Sequence, residues 1–600
     1  MNIPQQIELT IEPSGRRLTL PTGANLLQAA REAGLSVNAV CGGNGTCGSC
    51  KVKLISGDFS PITPKETAMR QNGSLPADER LACLTTALSD GKIHFKPESL
   101  ASAQRLQLEG ELNPITINPA VKRLDIDLSI DISGQKLSAA ESVRETLKVN
   151  GYLHTDLPEA LIPRLTRLLE EHSQKAALVL NGHQLVTALP PDQHMLGLAV
   201  DLGTTKLAAF LVDLETGQTL ASGGAINPQV AYGEDVISRI QFADEHKDGA
   251  ATLQKAVVEG LNILAAELTA KVGLTPAAIV DGVIAGNTAM HHLLAGLPVH
   301  NLGTAPYHPS QVEAMTLAAN KIGLKLAENA SVYLPPNIAG FVGGDHIAML
   351  LATRARHTLK TVLALDIGTN TEISLLHKGR HLACSCASGP AFEGAHIRSG
   401  LRAIPGAIER VFIEGSEVKL QTIEDQPAVG ICGSGILDAV AELRRNDLID
   451  HRGAFNKQDE RLVMRDGQPE FVLTSTDQQE IALNRQDVQE IQLAKAAIRS
   501  GIEVLLREAD CSADEIDLFL VAGAFGTYLD LTNCQRIGMF PHLALKRFRQ
   551  VGNAAGSGAR ELLLSTDKRA EAESMLEKIE YIELTTVKDY VEFYMDAIGL

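Results

Sequence analysis

One stretch of this 600-residue chain is written twice. GLAVDLGTTKLAAFLVD, around Asp201, is echoed 165 residues later by VLALDIGTNTEISLLHK, around Asp366. In each copy an apolar strand ends in Asp, a glycine turns the chain tightly, hydroxyl or amide side chains follow, and a second strand runs out. Such a turn suits phosphate. Small residues let the backbone amides of Gly203, Thr204 and Thr205, with Lys206 next in line, approach phosphate oxygens, while the Asp201 carboxylate holds hydrated Mg²⁺. Gly368, Thr369 and Asn370, with Asp366, do the same from the other side. A repeated hairpin predicts two related halves facing one ligand.

Two hairpins of this kind, each opening a three-strand meander, resemble the sugar kinase, actin and heat-shock chaperone ATPase superfamily from about residue 197 to 590. That resemblance implies two ribonuclease-H-like lobes that clamp Mg-ATP, here residues 191–600 with the lobes split near 360. Its adenosine motif falls at LFLVAGAFG, where Gly523 fits, Ala524 stands at the usual second glycine, and Gly526 follows. ICGSGILDAV reads equally as a helix start at Gly433, Ser434 and Gly435 that faces phosphate or as a connecting turn. VIAGNTAMHH and NIAGFVGGDHIA read as strands ending at the cleft before a helix, bringing Asn287 and Asp345 near the phosphates. Asp345 also reads as a simple cap. Lys495, on QLAKAAIRSG, either reaches the nucleotide or is solvated. His291 and His292 gather no partners and read as helix residues. Cys384, Cys386, Cys432, Cys511 and Cys534 read as small core residues.

A second signature lies near the start. Cys41, Cys47, Cys50 and Cys83 have the spacing C-x5-C-x2-C-x32-C, with CGGNGTCGSC as a glycine-rich core. Three thiolates in one loop and a fourth arriving later can surround a two-iron cluster, and glycines let peptide N–H groups aim at the sulfurs. Tetrahedral zinc also takes four cysteines, but zinc sites usually pair two C-x2-C knuckles. A disulfide framework is disfavoured by nine sparse cysteines. The loop resembles [2Fe-2S] ferredoxins, the vertebrate-type branch more than the plant type. ERLACLT around Cys83 is similar to their RLxCQ segment, with Leu84 where Gln is usual. The flanks agree. IELTIE sets Ile7, Leu9 and Ile11 against Glu8, Thr10 and Glu12; Ser14-Gly15 turns into RRLTL; NLLQAAREAG predicts a helix ended by Gly34; KVKLISG and KIHF supply further strands. Residues 1–95 are expected to form a β-grasp domain.

Between the two signatures, residues 96–114 predict a linker, poor in apolar residues and bounded by proline. Residues 115–190 predict a small α/β middle domain, with strand-like LDIDLSIDI, helical EALIPRLTRLLEEH and no chemical motif. DQHMLG, from Asp192 to Gly197, matches the D-x-H-x-x-G pattern of cobalamin-binding modules. The match is rejected, because Gly197 already begins the first hairpin strand and the rest of such a module is missing.

Charge and hydropathy exclude other roles. The net charge of −18 argues against nucleic acid, and it lies almost wholly beyond residue 95, since in residues 1–95 nine basic residues balance eight acidic ones. No apolar run predicts a membrane span, and MNIPQQIELT lacks the features of an export signal, so the expectation is cytoplasmic.

A ferredoxin fused to such an ATPase resembles the reductive activators of corrinoid proteins, as do INPQVAYGEDVISRI, GNTAMHHLL, FVGGDHIA and GPAFEGAHIRSG. This resemblance implies an α/β multidomain chain: β-grasp ferredoxin, small middle domain and two-lobed actin-like ATPase. It implies a [2Fe-2S] cluster, ATP and Mg²⁺ as cofactors. It further implies a corrinoid protein of a methyltransferase system as acceptor and a low-potential upstream electron donor, and it leaves a homodimer open. The weighed alternatives are a redox-sensing ATPase scaffold, an activator of another low-potential radical enzyme, and a small-molecule kinase with an appended ferredoxin.

Overall fold

In the computed structural model, the described residues are 6–12, 15–33, 37, 45, 48, 50–71, 73–95, 110, 113–129, 137–233, 235–394, 396–456, 459, 461–465, 467–475, 480–523 and 525–600. The linker expected at 96–114 lies almost wholly outside them, as do Cys41, Cys47, Ala524 and the helix end expected at Gly34.

The N-terminal unit is a five-stranded sheet in the order Arg16–Pro21, Gln6–Glu12, Gly91–His94, Lys51–Ser56, Glu79–Leu81. Its first and last long strands, Gln6–Glu12 and Gly91–His94, run parallel, and the other pairs are antiparallel. The helix Leu26–Glu32 closes one face over Leu9, Ile11, Leu81, Ile93 and Phe95, all fully buried. This is the β-grasp arrangement. The alternation fails at one residue, Glu12, which is fully buried although its strand pattern assigns it to the outer face. Its burial comes from another part of the chain, described below.

The segment 121–189 forms a three-stranded sheet, Val121–Asp127, Lys175–Asn181 and Gln184–Leu189, backed by helices Ala139–Val149 and Ile162–Glu171. Ser138 starts the first helix with a capping box to Glu141, worth about 1 kcal/mol. One sheet face buries Leu178 and Leu180 under the helices; the other puts Val179 and Val186 into the core of the next unit.

Two six-stranded sheets follow, built alike. Each has an antiparallel three-strand meander joined to two parallel strands, with one further edge strand: Thr219–Ile226, Lys206–Asp213, Leu196–Leu202, Ile279–Gly286, Ser331–Leu334 and the antiparallel edge Met315–Ala318 in one, and Phe548–Gly552, Leu518–Ala522, Val362–Ile367, Thr371–His377, Arg380–Cys386 and the edge Ile579–Tyr581 in the other. The duplication seen in the sequence is thus a duplication of topology. Helix Ala554–Leu564 leaves the second sheet and packs on helix Gly344–Thr353 in the core of the first. Gly558 permits that crossing, since a Cβ there would lie 1.9 Å from the Ala348 carbonyl oxygen. The lobes are therefore joined twice, near 360 and again near 553. Among the described residues no helix is long and apolar enough to cross a membrane.

Candidate functional site

The two hairpins face each other across a cavity of about 220 Å³. Asp201, Gly203, Thr204, Thr205 and Lys206 line it from the first lobe; Asp366, Gly368, Thr369 and Asn370 line it from the second. Both aspartates end a strand that pairs antiparallel with the strand after the turn, so the hairpin itself aims them inward. Gly433 and Ser434 open the helix Gly433–Arg445 at the cavity wall, so a helix N-terminus borders the cavity. Gly433 has to be glycine, because a Cβ would fall 1.8 Å from the Phe392 carbonyl oxygen. Gly523 sits at φ +93 beside Asp366, a conformation that side chains rarely adopt.

Asn287 and Asp345 also reach the cavity. Asn287 caps helix Thr288–Ala295 through Ala289 N and donates to Glu372 Oε1 at 3.4 Å. Asp345 lies in the first turn of its helix, two residues after the cap Gly343, and accepts from His346 N.

Three expected residues are not at the cavity. Lys495 is 1% exposed and donates to the Gly599 carbonyl, because the C-terminal segment folds back over its helix; burial lowers its pKa to about 8. Gly435 packs on the Ile408 backbone, and Gly526 packs on Val521. Phe525 and Tyr528 line the wall where Gly526 was expected, and Phe525 stacks on Phe392 at 4.9 Å.

The electrostatics are unusual. Burial raises Asp201 to about 7, with the Asp366 charge adding to the effect and Asn553 opposing it. Burial raises Asp366 to about 6. Asp345 and Glu372 are raised further, again first by burial and then by neighbouring carboxylates. The three aspartates face the cavity and not the outer surface, so protein strips much of their hydration. Among the described residues no three of these groups bring oxygens within 4.8 Å, which suits Mg²⁺ that keeps its water shell better than a bare ion.

Sequence reasoning missed Glu372, Asn553, Glu393 and Arg402. Glu393 accepts from Thr205 Oγ1 at 2.8 Å and from Thr369 Oγ1, so one carboxylate ties the two hairpins together. The GPAFEG and RSG segments that carry Glu393 and flank Arg402 resemble the family, but nothing in their spacing assigns these side chains to the cavity.

The cysteine site is partly described. Lys51 pairs with Leu81, and Ala82 N donates to Cys50 O, which brings Cys50 and Cys83 to neighbouring strand ends with their sulfurs 3.4 Å apart. Soft thiols at this spacing on a buried strand edge fit an iron-sulfur cluster. Leu84 packs against Gly45, where a Cβ would lie 2.5 Å from it. The register is pinned by Glu66, which is fully buried, binds Arg80 at 2.9 and 3.0 Å and accepts from Leu81 N.

The remaining candidates stay in the roles of ordinary residues. His291 and His292 are buried, and the other five cysteines pack in the interior, with Cys432 also at the cavity wall. His194 of the DQHMLG segment pairs with Asp213 at 2.6 Å. One other donor group, His377, Cys511 and Glu515, comes close together, but Glu515 already caps Ser512.

Family models match three stretches: a 2Fe-2S iron-sulfur cluster binding domain over residues 9–88, the RACo middle region over 196–358, and the C-terminal domain of RACo, the ASKHA domain, over 360–600. The solved structure of a "Reductive activator for corrinoid,iron-sulfur protein" is similar with a TM-score of 0.73 and 31% identity, covering 99% of this chain and 98% of that one. The "Corrinoid activation enzyme RamQ" of Eubacterium limosum is 29% identical over 94% of both chains. The "[Co(II) methylated amine-specific corrinoid protein] reductase" of Methanosarcina barkeri is 26% identical over 67% of this chain and 76% of its own. With a ferredoxin unit and a two-lobed cleft joined in one chain that matches such an activator from end to end, the protein belongs to the family of reductive activators of corrinoid proteins.

Proposed function

We propose that this protein is an ATP-dependent reductase that returns an inactive Co(II) corrinoid protein to Co(I), ready for methyl transfer. One observation carries the reading: a two-cysteine strand edge of a [2Fe-2S] ferredoxin and a duplicated, carboxylate-rich cleft stand in one chain that is similar along its length to a reductive activator. When bound, the cluster would supply one electron; plant-type [2Fe-2S] centres lie at about −400 mV, and every 59 mV of shortfall against the acceptor makes such a transfer about tenfold less favourable, which is the gap ATP would bridge.

The chain's own residues divide the work. Asp201 and Asp366 hold hydrated Mg²⁺ from opposite lobes, with Asp345 behind them. The amides of Gly203 to Thr205 and of Gly368 to Asn370, the Lys206 side chain and the helix start at Gly433 and Ser434 hold phosphate oxygens. Phe525, Tyr528 and Gly523 form the wall for the nucleoside. Cys41, Cys47, Cys50 and Cys83 hold the cluster. Because both lobes contribute ligands, a change from triphosphate to diphosphate alters their separation, and a corrinoid partner that binds one separation better is released or retained accordingly. A low-potential donor protein and a cytoplasmic site of action, where ATP is at hand, complete the proposal.

The test is anaerobic incubation of the reduced protein with Co(II) corrinoid proteins, with and without Mg-ATP, followed by visible spectroscopy. Co(I) formation that requires Mg-ATP supports the reading; Mg-ATP without effect on either corrinoid binding or Co(I) formation rejects it.

A further inference from the structure

Glu12 belongs to the ferredoxin unit, yet its carboxylate is fully buried against Arg402, a residue of the nucleotide cavity. Lys92 Nζ lies 3.2 Å away on its other side, and His94 faces it as well. Burial pushes the Glu12 carboxyl up, but Arg402, Lys92 and His94 together hold it below the usual range, so it is ionised. A buried ion pair contributes little net stability, and its best-attested use is to specify one arrangement of parts.

The parts specified here are three. On the first lobe Lys92 donates to the Val230 carbonyl at 3.0 Å and Lys53 to Tyr232 Oη at 3.3 Å. On the second, Arg16 donates to the Val429 carbonyl at 2.7 Å, and Arg17 meets His396 at 3.3 Å. The ferredoxin unit therefore stands with a foot on each lobe. Behind Arg402, its Nε 3.9 Å from Glu393 Oε2, the Glu393 carboxylate occupies the hydroxyls of Thr205 and Thr369. Both hydroxyls belong to the hairpins proposed for phosphate.

We infer that Glu12 latches the ferredoxin unit across the two lobes, and that Mg-nucleotide entering the cleft opens the latch. The inference rests on the proposed nucleotide site. A phosphate and the Glu393 carboxylate compete for the same donors and repel each other, so the phosphate displaces Glu393. Arg402, whose guanidinium matches phosphate oxygens bidentately, is drawn from Glu12 toward the new charge. Glu12 then gains more from water than from its buried place, and the changed lobe angle removes one of the two feet. The ferredoxin unit swings free to meet its electron partners only when the cleft is loaded.

The experiment uses the full chain with its cluster oxidised and diamagnetic, spin-labelled at Ala68→Cys and Ala270→Cys, both exposed sites. The cysteines at 384, 386, 432, 511 and 534 are buried. Electron double resonance should give one narrow distance without nucleotide and a broad, longer distribution with saturating Mg-AMPPNP. Glu12→Gln should be broad without nucleotide. By reciprocity it should also bind Mg-AMPPNP roughly fivefold or more tightly, read by calorimetry. A narrow distance with nucleotide bound, or unchanged affinity in a folded Glu12→Gln protein, overturns the latch while leaving the nucleotide site intact. Failure of the wild-type protein to bind Mg-AMPPNP overturns both.

Discussion

Buried carboxylates occur in two regions of this molecule and are treated in opposite ways. In the ferredoxin unit Glu66 is paired with Arg80 and two backbone amides, and although burial opposes ionisation, these partners hold it down at about 2. In the cleft, Asp201, Asp345, Asp366 and Glu372 have no ion pair among the described residues, and burial raises all four. The first arrangement is finished: its charge is already matched. The second is destabilised as it stands, and under the proposed function a cation with a phosphate ligand would match it. The difference separates a carboxylate that holds a fold from carboxylates that wait for a ligand.

The largest effects are expected at the cluster and at the cleft. Cys83→Ser is expected to abolish the visible absorption of the cluster and all Co(I) formation, while Mg-AMPPNP still binds by calorimetry. Asp366→Asn is expected to do the reverse, keeping the cluster spectrum and lowering ATP-driven Co(I) formation at least about a hundredfold, the scale on which lost electrostatic anchoring acts. It should also raise the apo protein's thermal stability, since it removes an unmatched charge. If Asp366→Asn instead lowers that stability, the cleft carboxylates are structural and the contrast collapses.

A smaller effect is expected at the matched pair. Glu66→Gln leaves the Arg80 charge buried without its partner and should cost the ferredoxin unit about 3–5 kcal/mol, measured by denaturant unfolding followed at the cluster absorbance. The smallest effect is the pH dependence. Asp201 and Asp366, raised to about 7 and about 6, are protonated in the folded chain at pH values where the unfolded chain has lost those protons. Their stabilising effect is therefore full below about pH 4 and is lost as pH rises through 6 and 7. Mg²⁺ competes with those protons, so the gain in melting temperature on adding Mg²⁺ should be near zero at pH 5 and grow to a few degrees at pH 8. Glu66 runs the other way: its contribution is complete at neutral pH and is lost only as pH falls toward about 2.

Much of this contrast is legible in the sequence, for physical reasons that also set its limit. The cleft hairpins are readable because close approach to phosphate demands Asp, Gly and small polar residues in one short run. The cysteines are readable because metal ligation needs fixed spacing. Glu12 is misread by strand alternation because its burial comes from Arg402, 390 residues away. Glu393, Arg402, Phe392 and Phe525 reach the cavity through irregular segments with no period to follow. Lys495 sits on a well-predicted helix, yet only the folded-back C-terminus reveals that its charge is spent on Gly599.

The central claim is that occupancy of the cleft governs electron delivery from the four-cysteine site. A single-turnover stopped-flow experiment tests it most directly: protein with its cluster prereduced is mixed anaerobically with one equivalent of Co(II) corrinoid protein, with Mg-ATP, with Mg-AMPPNP or without nucleotide, while cluster and cobalt absorbances are followed together. With Mg-ATP the cluster should reoxidise and Co(I) appear at one common rate, and without nucleotide neither should occur on that timescale. Equal rates of Co(I) appearance with and without nucleotide would contradict the central claim.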